Sequence, residues 1–191
     1  MQSSMKSWRN KFVVGHVGRL HPQKNHDFLI DVFAEIKKKK PDAELILVGT
    51  GPLEEKVRSK VADMGLTENV QFLGNRKDMN QIYQAMDIFV FPSLFEGLGI
   101  VAIEAQAAGV PIVCSEGLPP ETDITPIYRK LMLSDGAEKW AEAAIEMAQS
   151  SKAHTNMQKY IIDAGFDMSA TAKNMEKYYL EKEAQIREKN K

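Results

Sequence analysis

Short apolar runs alternate along the chain with longer amphipathic stretches. Phe12 to Val17 (FVVGHV), Glu44 to Gly49 (ELILVG), Val70 to Leu73 and Asp87 to Phe91 (DIFVF) have the length and composition of strands buried on both faces. After the first run, Phe28, Leu29, Val32, Phe33 and Ile36 recur at three- and four-residue spacing. That spacing predicts an amphipathic helix from His26 to Lys39 with Asn25 as its N-cap. Lys37 to Lys40 fall in its last turn, where cations complement the helix dipole, and Pro41 ends it. The lysine run therefore reads as a solvated helix end. Further helices are predicted over Leu53 to Met64, with Pro52 at the first position, over Asp78 to Met86, and from about Gly99 into the strand-like Pro111-Ile112-Val113. Beyond Val113 the pattern loosens, with three prolines and three acidic residues between Ser115 and Pro126. Lys130 to Leu133 reads as a last edge strand. Helices return over Ala137 to Gln149, His154 to Ala164 and Ser169 to Lys189, the last with Ser169 as a candidate cap.

Apolar strands joined by connections that each carry one helix predict an α/β fold, a Rossmann-like parallel sheet with helices on both faces. Met1 to Asn10 reads as a polar arm or linker. Residues 11–191 read as one Rossmann-like domain with C-terminal helices from about residue 137. In such sheets ligands bind beyond the carboxyl ends of the strands, near the point where strand order reverses. Gly18-Arg19, Gly49 to Gly51, Gly74-Asn75-Arg76 and Glu96 to Gly99 each follow a strand. They are expected to line one edge.

Chemistry concentrates in Phe95 to Val113, FEGLGIVAIEAQAAGVPIV. Gly97 and Gly99 allow a sharp turn and close approach of backbone to a ligand. The helix after them points unpaired N–H groups into that turn, which outlines an anion site. Glu96 and Glu104 frame it with seven residues between them. Taken alone, Gly-x-Gly before a helix also fits a tight turn with no ligand. Glu104 argues for more, because its helix is so apolar that burial on most sides is expected, and a carboxylate there requires partners.

Composition changes the picture only in what it removes. At 191 residues, 43% hydrophobic and 27% charged, the chain can bury a full core. A net charge of −1 gives no global electrostatic basis for nucleic acid or an anionic membrane. The single cysteine, Cys114, has no intramolecular partner, fits a reducing compartment and reads as a buried inert thiol. No signal-peptide core or membrane-length apolar stretch is visible, and the expectation is a cytoplasmic protein. A nicotinamide-binding domain would carry Gly-x-Gly-x-x-Gly after the first strand, where this chain has Gly-Arg-Leu-His. His16, His21, His26 and His154 form no catalytic pairing in the sequence.

The two glutamates in FEGLGIVAIEA, the AAGVPIV that follows, and Gly18-Arg19 with Lys24 after the first strand resemble the C-terminal, donor-binding half of retaining glycosyltransferases with the GT-B fold. This is the large group 1 family of polysaccharide and lipopolysaccharide transferases and sucrose synthases. The match runs from about Phe12 to Gly136. GRLHPQKNHDFLIDVF makes it most similar to capsular or exopolysaccharide transferases. SEGLPPETD after Cys114 departs from the glycine-rich turn of many members.

The resemblance implies a nucleoside-diphosphate sugar as donor and no metal or other cofactor. By that resemblance Gly18, Arg19 and Lys24 meet the donor diphosphate, and Glu104 takes the ribose hydroxyls. Gly97, Leu98 and Gly99 meet phosphate or sugar through backbone N–H groups, and Glu96 touches the transferred sugar. The Leu73 to Arg76 loop, with Gly74, Asn75 and Arg76, borders the base. Glu96, Arg19 and Lys24 are the expected catalytic residues. The missing partner is an N-terminal acceptor domain, without which this half is expected to transfer no sugar. Peripheral association at the inner membrane face is compatible with the full-length enzyme. A sugar-nucleotide epimerase of GT-B architecture and a non-catalytic nucleotide-sugar-binding module are the alternatives.

Overall fold

A computed structural model describes residues 8–150 and 152–189. Six strands, β1 (Phe12–Val17), β2 (Ala43–Val48), β3 (Val70–Gly74), β4 (Ile88–Phe91), β5 (Ile112–Ser115) and β6 (Tyr128–Leu131), form one sheet in the order β3-β2-β1-β4-β5-β6. Every pairing is parallel. The order reverses between β1 and β4, and the crevice beyond their carboxyl ends is where such a sheet takes a ligand.

The connecting helices are α1 (His26–Lys39), α2 (Glu54–Asp63), α3 (Met79–Gln84), α4 (Ile100–Ala107), α5 (Gly136–Ala148), α6 (Gln158–Asp163) and α7 (Met168–Lys189). Successive strand residues point to opposite faces, and this divides the core in two. Val14, Leu45, Leu47, Val90 and Val113 meet α1, α2 and α5 on one face. Val13, Ile46, Val48, Phe89, Phe91 and Cys114 meet α3 and α4 on the other. This double burial is why the strands read as continuous apolar runs. Trp140 of α5 is fully buried; its indole N–H donates to the Met132 carbonyl at 2.9 Å, and its ring meets Phe28 of α1 edge-on.

Several local expectations need correction. Asn25 precedes α1 as expected, but with φ 52° and no capping side-chain hydrogen bond. The short turn Pro22–Lys24 ends on Asn25, whose backbone N–H donates to the Pro22 carbonyl. α2 begins at Glu54 rather than beside Pro52, because the Leu53 N–H is held by the Leu20 carbonyl at 3.1 Å. The last strand lies two residues earlier than the sequence suggests, where Tyr128–Leu131 pairs with β5. The helix expected from His154 is shortened to α6. His154 has φ 57°, and its N–H donates to the Gly109 carbonyl, a tertiary contact that overrides local propensity. Ser169 falls inside α7 rather than before it. Trp8, in the stretch read as an arm, is 5% exposed and packs into the core on the α3 and α4 face; residues 1–7 lie outside the described residues.

Candidate functional site

At the carboxyl edge of the sheet, the loops after β1, β2 and β3 enclose an open groove of about 560 Å³ lined by Gly18, Arg19, Gly49, Thr50, Asn75, Arg76 and Met79. Backbone contacts hold these loops in register. The Gly18 N–H donates to Val48, Leu20 to Thr50, and Gly49 to Gly74. Arg19 is exposed and makes no ion pair among the described residues. Arg76, by contrast, is clamped by Asp78 in a two-pronged pair at 2.9 and 2.7 Å. That pairing raises the guanidinium's affinity for its proton and lowers that of the Asp78 carboxyl. Arg19 is thus the cation free to meet an anion, while Arg76 shapes its own loop.

The fourth loop joins the site through Lys24. The Lys24 ammonium pairs with a Glu96 oxygen at 2.6 Å, their side chains only 15% and 7% exposed, and lies 4.8 Å from the centre of the Phe91 ring. Two further bonds lash the same segments together: the Leu94 N–H donates to the Gln23 carbonyl, and the Gln23 amide donates to the Phe95 carbonyl, both at 2.8 Å. The pair therefore spans the crevice between the loops after β1 and β4. From the other side, the Glu96 N–H donates to the Gly117 carbonyl, and the Ser115 hydroxyl donates to the Ser93 carbonyl. The stretch that departs from the family pattern after Cys114 thus helps to hold Glu96.

Gly99 occupies the left-handed region at φ 68°, and no side chain caps α4 behind it. A side chain on Gly97 would meet nothing within 4 Å. No contact within the protein excludes a side chain there, so the open space leaves the Gly97 to Gly99 backbone approachable from outside. The N–H groups of Gly97, Leu98 and Gly99 find no backbone acceptor among the described residues. Together they are a ready anion cradle.

Glu104 departs from its expectation. It is exposed, not buried, because α4 turns Ala102, Ile103, Ala105 and Gln106 inward and leaves Ile100, Glu104 and Ala107 outside. The exposed stripe contains an isoleucine and an alanine, which is why the helix reads as apolar all round. Among the described residues Glu104 has one partner, the Tyr83 hydroxyl of α3, at 2.9 Å. Burial, together with the neighbouring carboxylate, pushes the Tyr83 phenol well above its ordinary range and keeps it a donor.

Sequence reasoning also missed a histidine pair beneath the site. His16 of β1 is fully buried, and its Nδ1–H donates to the Val90 carbonyl of β4 at 2.9 Å. His26, 2% exposed at the start of α1, meets it edge-on with ring centres 4.7 Å apart. His16 Nε2 and both His26 nitrogens have no hydrogen-bond partner among the described residues. Burial and then the His26 charge push His16 well below its ordinary range. Burial and then Lys24 lower His26 to about 4. Both rings are neutral near pH 7, which lets the Lys24 ammonium stay nearby. His21 is exposed and belongs to neither ring contact.

The family model for "Glycosyl transferases group 1" matches residues 4–164. The chain belongs to the group 1 glycosyltransferase family. Among curated relatives it is 33% identical over 144 residues to the putative glycosyltransferase EpsF of Bacillus subtilis, covering 75% of this chain and 38% of the relative. Two solved structures share the fold. HepE from Anabaena, in complex with UDP and glucose, has a TM-score of 0.76 at 23% identity, covering 95% of this chain and 51% of HepE. The C-terminal domain of the group 1 family protein LpcC from Francisella tularensis has a TM-score of 0.69 at 21% identity, covering 88% of this chain and 95% of that domain. This glycosyltransferase chain thus spans less than two fifths of the length of EpsF. No helix among the described residues is long and apolar enough to cross a membrane.

Proposed function

We propose that this chain is the donor-binding half of a metal-independent retaining glycosyltransferase of polysaccharide biosynthesis. The observation that carries the reading is the Lys24–Glu96 pair across the β1/β4 crevice, flanked by Arg19, which makes no ion pair among the described residues, and the uncapped α4. The diphosphate of a nucleoside-diphosphate sugar lies over Gly18, Arg19 and the start of α4. Glu96 accepts from only one of the three N–H donors of Lys24, and the others turn to phosphate. When the bond from the anomeric carbon to the diphosphate breaks, the electron pair leaves with the diphosphate. Arg19, Lys24 and the Gly97 to Gly99 N–H groups then stabilise the developing negative charge. Because Arg19, the Lys24 N–H groups that Glu96 leaves free and a helix end all face the diphosphate, no divalent ion is required.

Glu96, held by Lys24, touches the hydroxyls of the transferred sugar, and Glu104 takes the ribose. The base borders the Gly74 to Arg76 loop through backbone groups, since the Arg76 side chain is engaged by Asp78. A preceding domain supplies the acceptor and closes the cleft, and this half alone transfers no sugar at a useful rate. The polysaccharide setting rests on the resemblance of the sequence motifs, and UDP in the HepE complex makes UDP the first nucleotide to try.

Calorimetry with UDP and GDP, with and without chelator, tests the reading. Binding unchanged by chelator and weakened at least tenfold in Arg19→Ala supports it. Binding that requires a divalent cation overturns it.

A further inference from the structure

We infer that Tyr83 is the positioning residue that sets the Glu104 carboxylate for recognition of the ribose diol. This rests on the proposed nucleotide-binding reading and goes beyond it. Tyr83 is 3% exposed, and its ring lies edge-on to Phe89 of β4 with centres 6.2 Å apart, so the phenol oxygen is fixed by the sheet. That oxygen has two acceptors within reach, Glu104 Oε2 at 2.9 Å and the Val101 carbonyl at 3.4 Å, but one proton to give. The shorter, charge-assisted contact takes it.

Glu104 is otherwise an exposed side chain with three rotatable bonds and no ion pair among the described residues. Left alone it samples many orientations, and ordering them on binding carries an entropic cost. The Tyr83 hydrogen bond selects the orientation beforehand. It engages Oε2 and leaves Oε1 without a hydrogen-bond partner among the described residues, the disposition that receives two neighbouring hydroxyls. The link also couples two helices with different tasks. Met79, one turn before Tyr83 on α3, lines the groove of Gly18 and Arg19, while Glu104 belongs to α4. Ribose recognition is thereby placed in register with the diphosphate and base loops, although Tyr83 itself touches no ligand.

The test compares UDP and GDP, each against its 2′-deoxy counterpart, by calorimetry on the chain and on Tyr83→Phe. Phenylalanine keeps the buried ring and removes only the hydroxyl. The expected result is a ribose preference in the unaltered chain that Tyr83→Phe reduces about five- to tenfold, with deoxynucleotide affinity nearly unchanged. In a Glu104→Ala background, Tyr83→Phe should then add no further loss of preference. A purely structural role weakens ribo- and deoxynucleotides alike, and that outcome, or an undiminished preference in Tyr83→Phe, overturns the inference. No ribose preference in the unaltered chain overturns the role of Glu104 together with that of Tyr83, whereas no nucleotide binding overturns the proposed function itself.

Discussion

Glu96 and Glu104 stand in the same motif, eight positions apart, yet the fold gives them opposite surroundings. Glu96 is almost enclosed, its charge balanced by Lys24 at 2.6 Å and its backbone pinned to Gly117. Glu104 faces outward with a single phenol for company. The difference teaches that one carboxylate is part of the structure as well as the site, while the other is held ready but not used by the fold. Removing a partner from the first should damage stability. Removing the second should damage only what it binds.

The largest effect is expected at Lys24. Lys24→Ala leaves the Glu96 charge shielded from water with no counter-ion, a loss of about 2–4 kcal/mol read from the midpoint of urea unfolding. Adding Glu96→Gln to that variant should recover much of the loss, because the stranded charge is then gone. Failure to recover would mean that Lys24 acts through its packing on Phe91 rather than through Glu96.

Acid should reveal the histidine pair next. His26 has a folded value of about 4 against an ordinary 6.5, so the unfolded chain binds the extra proton first. The stabilisation is complete above pH 6.5 and is lost as the pH falls from there toward 4, by on the order of 3 kcal/mol over the full window. Thermal melts at pH 7, 6 and 5 should show the decline, and His26→Phe should reduce it, leaving the share that buried His16 contributes. An unchanged slope in that variant would remove the pair from the account.

At Glu104 the contrast is sharpened by asking for almost no effect. Glu104→Gln should shift the unfolding midpoint by less than about 0.5 kcal/mol, as expected for an exposed position away from the core. A loss comparable with that at Lys24 would erase the distinction between the two glutamates. Smallest of all, Cys114 should not react with a thiol reagent at pH 8 in the folded chain, since burial pushes its thiol up to about 12.

Much of this was legible from the order of residues. The strands were visible because each is buried on both faces, so VVGHV, ELILV and IFVF carry almost no polar interruption. The four strand-end loops were placed together by the rule of parallel sheets. Lys24, chosen from a resemblance, and Glu96, chosen for its place beside the glycine turn, are an ion pair across 72 positions. What remained hidden depends on contacts between elements. Tyr83 and Glu104 sit on different helices 21 positions apart, and nothing local marks a phenol as a carboxylate's donor. His16 and His26 meet only because the turn Pro22–Lys24 returns the chain over the end of β1. The exposure of Glu104 was misjudged because alanine and isoleucine share its outward stripe, and side-chain polarity alone does not reveal which stripe faces water.

Amide chemical-shift mapping of the chain titrated with UDP or GDP addresses the central claim most directly. The account predicts the largest changes at Gly18, Arg19, Gly97, Leu98 and Gly99, with Glu104 and Tyr83 following and α6 unchanged, in chelator as in magnesium. Changes centred elsewhere, or confined to conditions with a divalent cation, would contradict it.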